Sequence, residues 1–548
     1  MKAYLQPRLR EAARALGVAS DVDILLELPR NPEHGDLSTN LAMALARELK
    51  MAPRAVAEKL IEQLNVDPAL VPKIDIAGPG FINFTFSPRF FHERVAELAA
   101  EDPARLGAST VGEGKRVNVE YVSANPTGLL HLGHGRNSAV GDTVANILDW
   151  NGYKVEREYY FNNAGNQMKK LTDSTYARYH QLLGEEDYPF PEDGYHGDYI
   201  REIASEIERS YGNSLLDHSV ESEARVRACA EEWCFTRIVE TMQRLGIKHT
   251  MFVNEQHLHR DGFVTAALER LRDAGYIYEK EGATWFAAEK LGLDKDRVLI
   301  KSSGEPTYRL PDIAYHIDKF ERGYDWIVDV LGSDHAATVP DVIKACEVLG
   351  YDVSKITPLI HQFVTLTDGG KQVKMSKRNA KVHTIDDLIE EAGADIVRYF
   401  FLMRNNSTQF EFDLALARDQ TEKNPVLYLQ YAHARVASLQ GKAAEQGLTI
   451  GEDVDWSQLT HDREMTLIKE LLRFRETIIK GAETLEPVVI CDYLRDVASA
   501  FHKFYHDCQI ISAEPRALAE ARLALARLTQ IVMKNGLTIL GISAPESM

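Results

Sequence analysis

The chain has 548 residues, 45% of them apolar, and a formal net charge of −19. That length is more than one hydrophobic core organises, so two to four domains are expected, and the acidic balance excludes a general nucleic-acid coating protein while leaving room for a local basic face. No stretch reaches about 18 uninterrupted apolar residues and the amino terminus has no apolar core, so neither a membrane span nor a secretory signal is expected, and a cytoplasmic setting is. Cys229, Cys234, Cys346, Cys491 and Cys508 are scattered without a Cys-x-x-Cys pair, which argues against a zinc ribbon or a disulfide framework.

In chain order, residues 1–105 combine helix-patterned segments (Leu41–Leu49, Val56–Leu64) with a strand at Phe81–Phe86, and Asp102-Pro103 with Leu106-Gly107 reads as a linker. From about 115 to 370 strands alternate with helices. Val117–Val122, Val155–Phe161, Trp326–Leu331 and Pro358–Leu366 read as strands, with Val264–Ala274 and Val339–Leu349 as helices between some of them. That alternation predicts a parallel, helix-covered sheet, and the polar, acid-rich stretch 172–246 reads as a helical insertion on it. Beyond 423 the strand signal fades into four amphipathic helices, Leu427–Leu439, Met465–Ile479, Val488–Tyr505 and Ala517–Val532, predicting an all-α region.

The most informative stretch is Val117–Gly135. A valine-rich strand breaks at Pro126-Thr127-Gly128, and His131-Leu132-Gly133-His134 then opens a helix. Free N–H groups at such a strand-to-helix junction favour bound phosphate, and Gly133 lets a flat ring approach the backbone. The alternative is that both histidines merely cap the helix; a metal pair is weaker, because no ligand set accompanies them. Far downstream, the turn Asp368-Gly369-Gly370 precedes Lys374-Met375-Ser376-Lys377, which alone would read as a solvated basic loop.

Together, in that order, His131–His134 and Lys374–Lys377 resemble the two signatures of class I aminoacyl-tRNA synthetases. The segments Glu120–Gly128, Gly165-Asn166-Gln167, Tyr308-x-x-x-Asp312, Gly332-Ser333-Asp334-His335 and Asn424-Pro425 resemble the arginyl-tRNA synthetase family, as do Asn31–Asp36, Gly78–Asn83 and Gly541–Glu546. The resemblance runs essentially end to end. It implies an α/β fold: a Rossmann-like parallel-sheet catalytic domain (106–370), an α+β N-terminal domain reading the tRNA D-loop (1–105), a signature-loop and stem-contact region (371–423) and an all-helical anticodon-binding domain (424–548). The implied activity is activation of L-arginine by ATP to arginyl-adenylate and pyrophosphate, then transfer to the 3′ end of tRNA(Arg), with tRNA needed even for the first step. The implied chain is a monomer, with no zinc.

The attacking carboxylate is already ionised at neutral pH, so activation needs charge stabilisation rather than a general base. His131, His134, Lys374 and Lys377 are the expected catalytic groups. Gly133, Gly332, Asp334, His335, Met375 and Ser376 join them around ATP, whose Mg²⁺ would be held largely by phosphate and water. By resemblance, Glu120, Tyr308 and Asp312 hold the guanidinium, and Ser123 and Asn125 the amino-acid end. The alternatives are an internal salt bridge of Glu120 with an arginine of the chain, a helix cap for Asp312 and plain packing for Tyr308. Phe81 and Asn83 are expected to read a D-loop base, unless they are ordinary strand residues, and Tyr431, His433, Arg435 and Tyr505 are the candidates for anticodon contact.

Two positions depart from the family pattern. Asn163 stands where an aspartate is usual, and Ala336-Ala337 replaces His-Gly after Asp334-His335. The rivals are a cysteinyl or glutamyl synthetase, a small-molecule nucleotidyltransferase, which would need no helical tRNA domain, and a silent RNA-binding paralogue, against which the intact signatures speak.

Overall fold

In the computed structural model, residues 1–18, 22–29, 31–163, 165–373 and 384–548 are described. The chain divides into two compact units. The larger comprises Gly107–Arg435, Phe474–Ala498 and Met533–Met548, and the smaller Met1–Leu106, Val436–Arg473 and Ser499–Val532.

The smaller unit carries a four-stranded sheet of β1 (Leu26–Glu27), β2 (Leu37–Thr39), β3 (Lys73–Ala77) and β4 (Phe81–Thr85), in the order β1-β2-β4-β3. The strand expected at Phe81–Phe86 is thus central, and this changes its faces. Phe81 is 41% exposed, whereas Ile82, Asn83 and Phe84 are all buried. A strand flanked on both edges and packed beneath helices does not show simple alternation.

The larger unit is built on five parallel strands, β5 (Arg116–Glu120), β6 (Lys154–Phe161), β7 (Met251–Asn254), β11 (Trp326–Gly332) and β12 (Ile356–His361), ordered β12-β11-β5-β6-β7. The chain therefore winds outward from β5 through β6 to β7, then returns to lay β11 and β12 on the other side. The switch point lies between β5 and β11, and open parallel sheets bind ligands outside the carboxyl ends of the strands at such a point. Stretch 172–246 falls in the β6-to-β7 crossover, where helices Asn166–Leu182, Tyr199–Tyr211 and Val220–Arg244 occupy it.

Four features were not read from the sequence. β7 is only four residues long, and an antiparallel sheet of β8 (Ile277–Lys280), β9 (Ala283–Phe286) and β10 (Arg297–Ile300) interrupts the β7-to-β11 crossover. The single strand expected over Pro358–Leu366 is two, β12 and β13 (Val364–Asp368). Between them the backbone changes partner: the Gln362 N–H donates to the Asn406 carbonyl and the Phe363 carbonyl accepts from Phe410 N–H. This hands β13 to a second sheet with β14 (Lys371–Gln372) and β15 (Phe410–Asp413). Met465–Ile479 likewise breaks into helices Asp462–Leu471 and Phe474–Thr484. Periodicity survives such breaks because both pieces bury the same residue types.

Candidate active site at the switch point

The helix Leu132–Trp150 starts directly after β5 and its loop. His131 is its N-cap: His131 Nδ1 accepts from Gly133 N–H at 3.2 Å, and His134 Nδ1 accepts from His131 N–H at 3.4 Å. The two rings stack with centroids 3.8 Å apart. The capping role and an outward role are compatible. A neutral imidazole whose Nδ1 accepts carries its proton on Nε2, so each ring keeps a donor for phosphate. Burial holds His134 neutral, pushing its pKa down to about 3. A Cβ on Gly133 would lie 3.2 Å from His131 Cε1, so glycine here leaves room for the stacked ring.

Asn137, one turn further in, ties this helix to both strands at the switch point. Its Oδ1 accepts from Val122 N–H at 2.5 Å and its Nδ2 donates to the Val330 carbonyl at 2.8 Å. Val122 and Ser123 have φ of +69° and +41°, the left-handed region that a β-branched residue rarely enters. The cost of such a turn is about 1–3 kcal/mol per residue, which its surroundings must offset. Tyr160 N–H donates to Ser123 Oγ at 3.0 Å and Ser123 Oγ donates to Glu120 Oε1 at 2.9 Å, fixing the turn from the other side. Asn125 donates to Gln167 Oε1.

Glu120, at the carboxyl end of β5, is buried and paired, but with a lysine rather than an arginine. Lys319 Nζ donates to Glu120 Oε2 and to Asp329 Oδ1, both at 2.6 Å. His316 lies 3.0 Å from the second oxygen of Asp329. Burial opposes charge on Asp329, yet Lys319 and His316 hold it well below the usual carboxylate range. Asp312 shares the helix Arg309–Glu321 with Lys319 and His316. The helix is capped at Tyr308, so Asp312 sits beyond the cap position, and Tyr308 is 62% exposed. Burial, with further repulsion from Glu120 and Glu255, pushes the Asp312 carboxyl up to about 7. Glu255 was not anticipated from sequence. It opens the short helix after β7, is buried, and accepts from Tyr160 Oη at 2.9 Å. Its only sequence signal is a carboxylate at a strand end, which is common on any surface.

Glu120, Asp312 and Glu255 therefore surround Tyr160, and all three raise its pKa, although burial raises it most. A cluster so rich in carboxylates suits a planar cation able to take forked hydrogen bonds. On the neighbouring strand end, Gly332 leads into Ser333–His335, with Asp334 and His335 both exposed and 3.8 Å apart. A Cβ on Gly332 would meet Asp334 Oδ1 at 2.5 Å. Lys374, Met375, Ser376 and Lys377 lie outside the described residues.

The expected RNA-contacting residues fall elsewhere. Tyr431 and Arg435 pair with each other, the guanidinium lying 4.3 Å over the ring. His433 is buried, its Nδ1 2.8 Å from the Pro545 carbonyl oxygen. Tyr505 is half-buried, beside Phe501. Asn163 donates to Glu231 Oε1 at 2.6 Å, and its own carbonyl accepts from Arg227. Glu231 also lines a cavity of about 430 Å³ with Phe161, Phe235 and Phe252.

Comparison with known proteins gives a consistent answer. Residues 3–86 match the family model for the arginyl tRNA synthetase N terminal domain, 98–409 that for the class I (R) tRNA synthetase catalytic domain, and 429–548 that for the DALR anticodon binding domain. The chain is 49% identical to the arginine–tRNA ligase of Salinibacter ruber over the whole of both chains, and 46% identical to that of Desulfotalea psychrophila over 95% of this chain and 94% of the other. Among solved structures, a putative arginyl-tRNA synthetase from Campylobacter jejuni matches with a TM-score of 0.77 at 32% identity, covering 84% of this chain and all of that one. The Thermus thermophilus arginyl-tRNA synthetase matches over the full length of both at 0.80 and 23% identity, a likeness of fold.

Proposed function

The chain belongs to the arginyl-tRNA synthetase family, an arginine–tRNA ligase that uses ATP to charge tRNA(Arg), and on that premise we propose how its own residues divide the work. The arginine carboxylate attacks the α-phosphorus of ATP and the bond to pyrophosphate breaks, leaving arginyl-adenylate. A hydroxyl at the 3′ end of tRNA then attacks the carbonyl and AMP departs. Neither step needs a strong base, so the chain contributes position and charge.

His131 and His134 donate from Nε2–H to phosphate oxygens, supported by the start of the helix they cap. Lys374 and Lys377 offset the charge of the departing pyrophosphate, and Gly133, Met375 and Ser376 join them around ATP. Gly332, Asp334 and His335 face the nucleotide from β11. Asp312, Tyr308 and Glu120 receive the guanidinium, with Glu255 as an additional carboxylate, while Ser123 and Asn125 orient the amino-acid end. Mg²⁺ would accompany ATP and neutralise phosphate charge, held largely by phosphate and water. Residues 1–105 read the tRNA through Phe81 and Asn83, 371–423 contact its stem, and 424–548 read its anticodon through Tyr431, His433, Arg435 and Tyr505. The enzyme acts as a cytoplasmic monomer; no helix among the described residues is long and apolar enough to cross a membrane.

The observation that carries this reading is the concentration of Glu120, Asp312 and Glu255 around Tyr160, with Glu120 ending the strand that leads into the capped histidine pair. Arginine-dependent ATP–pyrophosphate exchange, run with and without tRNA(Arg), tests it. Exchange that responds equally to lysine or to no amino acid at all would sink the assignment of the pocket.

A further inference from the structure

The cavity bounded by helix Val220–Arg244 and the ends of β6 and β7 has no part in the reaction described above. It holds about 430 Å³, within the size range of small-molecule sites, and its walls are mostly aromatic: Phe161 ends β6, Phe252 comes from β7 and Phe235 from the helix. Phe235 packs edge-on against both, with ring centroids 4.4 Å from Phe161 and 5.8 Å from Phe252. Phe252 is 49% exposed, a large ring half in water at the rim. β7 is also the last strand of its sheet, so no further strand covers it.

This cavity is distinct from the carboxylate cluster, and strand geometry explains why. Neighbouring residues of a strand point to opposite faces. Tyr160 stacks on Tyr315 of helix Arg309–Glu321 and sits within the cluster of Glu120, Asp312 and Glu255, while Phe161 packs on Phe235. The end of β7 divides in the same way: Asn254 lines the cavity, and Glu255 joins the cluster. The two sites lie back to back across the ends of the same two strands.

The open polar atoms at the cavity define what it would hold. Glu231 and Glu232 line it, and neither has an ion-pair partner among the described residues. Asn163 holds Glu231 in place, donating from Nδ2 to Glu231 Oε1 at 2.6 Å. An ionised aspartate, the usual residue at this position, has no donor to offer. Asn163 is 2% exposed, and its Oδ1 has no partner among the described residues. Buried polar atoms are nearly always satisfied, so this orphan requires an explanation. Two carboxylates and an amide oxygen can only accept. A matching ligand therefore brings N–H donors and positive charge, on an apolar body that aromatic rings can cover.

We propose that this cavity is a binding site for an organic cation, an ammonium or guanidinium group on an apolar stem. The stem packs against Phe161, Phe235 and Phe252, and the cation donates to Glu231 and Glu232. Asn163 is the residue that presents the Glu231 carboxylate. The site is additional to the ligase reading and does not depend on it.

The test is calorimetric titration of the full chain with 2-phenylethylamine, a cation at neutral pH, and with 2-phenylethanol, its uncharged counterpart. Saturating arginine is present throughout, so that the substrate site is filled. The amine is expected to bind saturably and about 10-fold tighter than the alcohol, and added salt should weaken the amine alone. Glu231→Gln keeps an oxygen for Asn163 but loses the charge, and should bring the amine down to the affinity of the alcohol. Phe252→Ala, at an exposed position, should weaken both compounds by about 10-fold. The Tm of each variant shows whether it is folded. Absence of saturable amine binding, equal affinity for amine and alcohol, or amine binding unchanged in either folded variant would overturn the proposal. So would restoration of amine binding only when arginine is withdrawn, which would place the amine in the substrate site. None of these readouts requires turnover, so a failure of the ligase reading would show separately, in pyrophosphate exchange.

Discussion

Asp312 shows how a single carboxyl can carry both selectivity and a pH response. Its pKa of about 7 lies above that of an unfolded aspartate, so the native state binds the proton more tightly and Asp312 costs stability as pH rises from about 4 to 7. In the role proposed for it, Asp312 binds arginine in its ionised form, so a proton competes with arginine. Arginine KM should therefore rise as pH falls through about 7, and the increase in Tm caused by arginine should be larger at pH 8 than at pH 6. Asp312→Asn should abolish that pH dependence and weaken arginine by about 2–3 kcal/mol, with the fold intact. An unchanged KM, or a variant that unfolds, would show the residue to be structural. Gly133 gives a second prediction. Alanine suits a helix start better than glycine, so the Tm of Gly133→Ala should hold or rise, while crowding of His131 Cε1 lowers exchange kcat at least tenfold, about 1.4 kcal/mol. Full activity in that variant would detach the His131 ring from catalysis.

Among the elements, the helix Leu132–Trp150 matters through its attachment as much as through its dipole. Asn137 clamps the strained Val122–Ser123 turn to β11. Asn137→Ala leaves the Val122 N–H and the Val330 carbonyl unpaired, at about 2–4 kcal/mol for two buried groups. Urea unfolding should show that loss, and arginine kcat/KM should fall with it because Ser123 and Asn125 hang on the same turn. A stability loss without a kinetic change would mean that the turn keeps its shape unaided. The role proposed for Lys377 makes the opposite demand, since there its charge is needed only as pyrophosphate leaves. Lys377→Ala should slow single-turnover activation by about 2–4 kcal/mol and leave arginine and tRNA binding near wild type. A normal activation rate would remove the loop from the mechanism.

For the whole molecule, the proposed D-loop readers lie outside the unit that carries the described chemical groups, whereas Tyr431, His433 and Arg435 lie within it. The described chemical groups belong to the larger unit, while Phe81 and Asn83 belong to the smaller. The two residues, separated only by Ile82, make different predictions. Phe81 is exposed, so Phe81→Ala should raise tRNA KM by about 1–2 kcal/mol equivalent, the worth of a stacked base, with Tm and arginine KM unchanged. Asn83 is buried between Ser38 and Asp75 on a central strand, so Asn83→Ala should lower Tm as well as any tRNA affinity. If Phe81→Ala charges tRNA with wild-type KM, this sheet is not a reader.

What is local in sequence was legible from the sequence alone: the paired histidines at a strand-to-helix junction, the parallel alternation and the helical carboxyl-terminal stretch. Each rests on short spacing or on periodicity, which a single chain displays. Long-range pairing was not. That Glu120 meets Lys319 instead of an arginine, that Asn137 holds a left-handed Val122, that Glu255 joins Asp312 around Tyr160, and that His361 lies beside Gly332 all depend on which strands become neighbours. The same holds for the split of Pro358–Leu366, decided by a change of backbone partner that leaves no mark on hydropathy. Sequence fixes what a residue can donate, accept or ionise. The order β12-β11-β5-β6-β7 decides which of those capacities face one another, because only the assembled, helix-covered sheet removes water and forces buried charges and lone pairs to find partners.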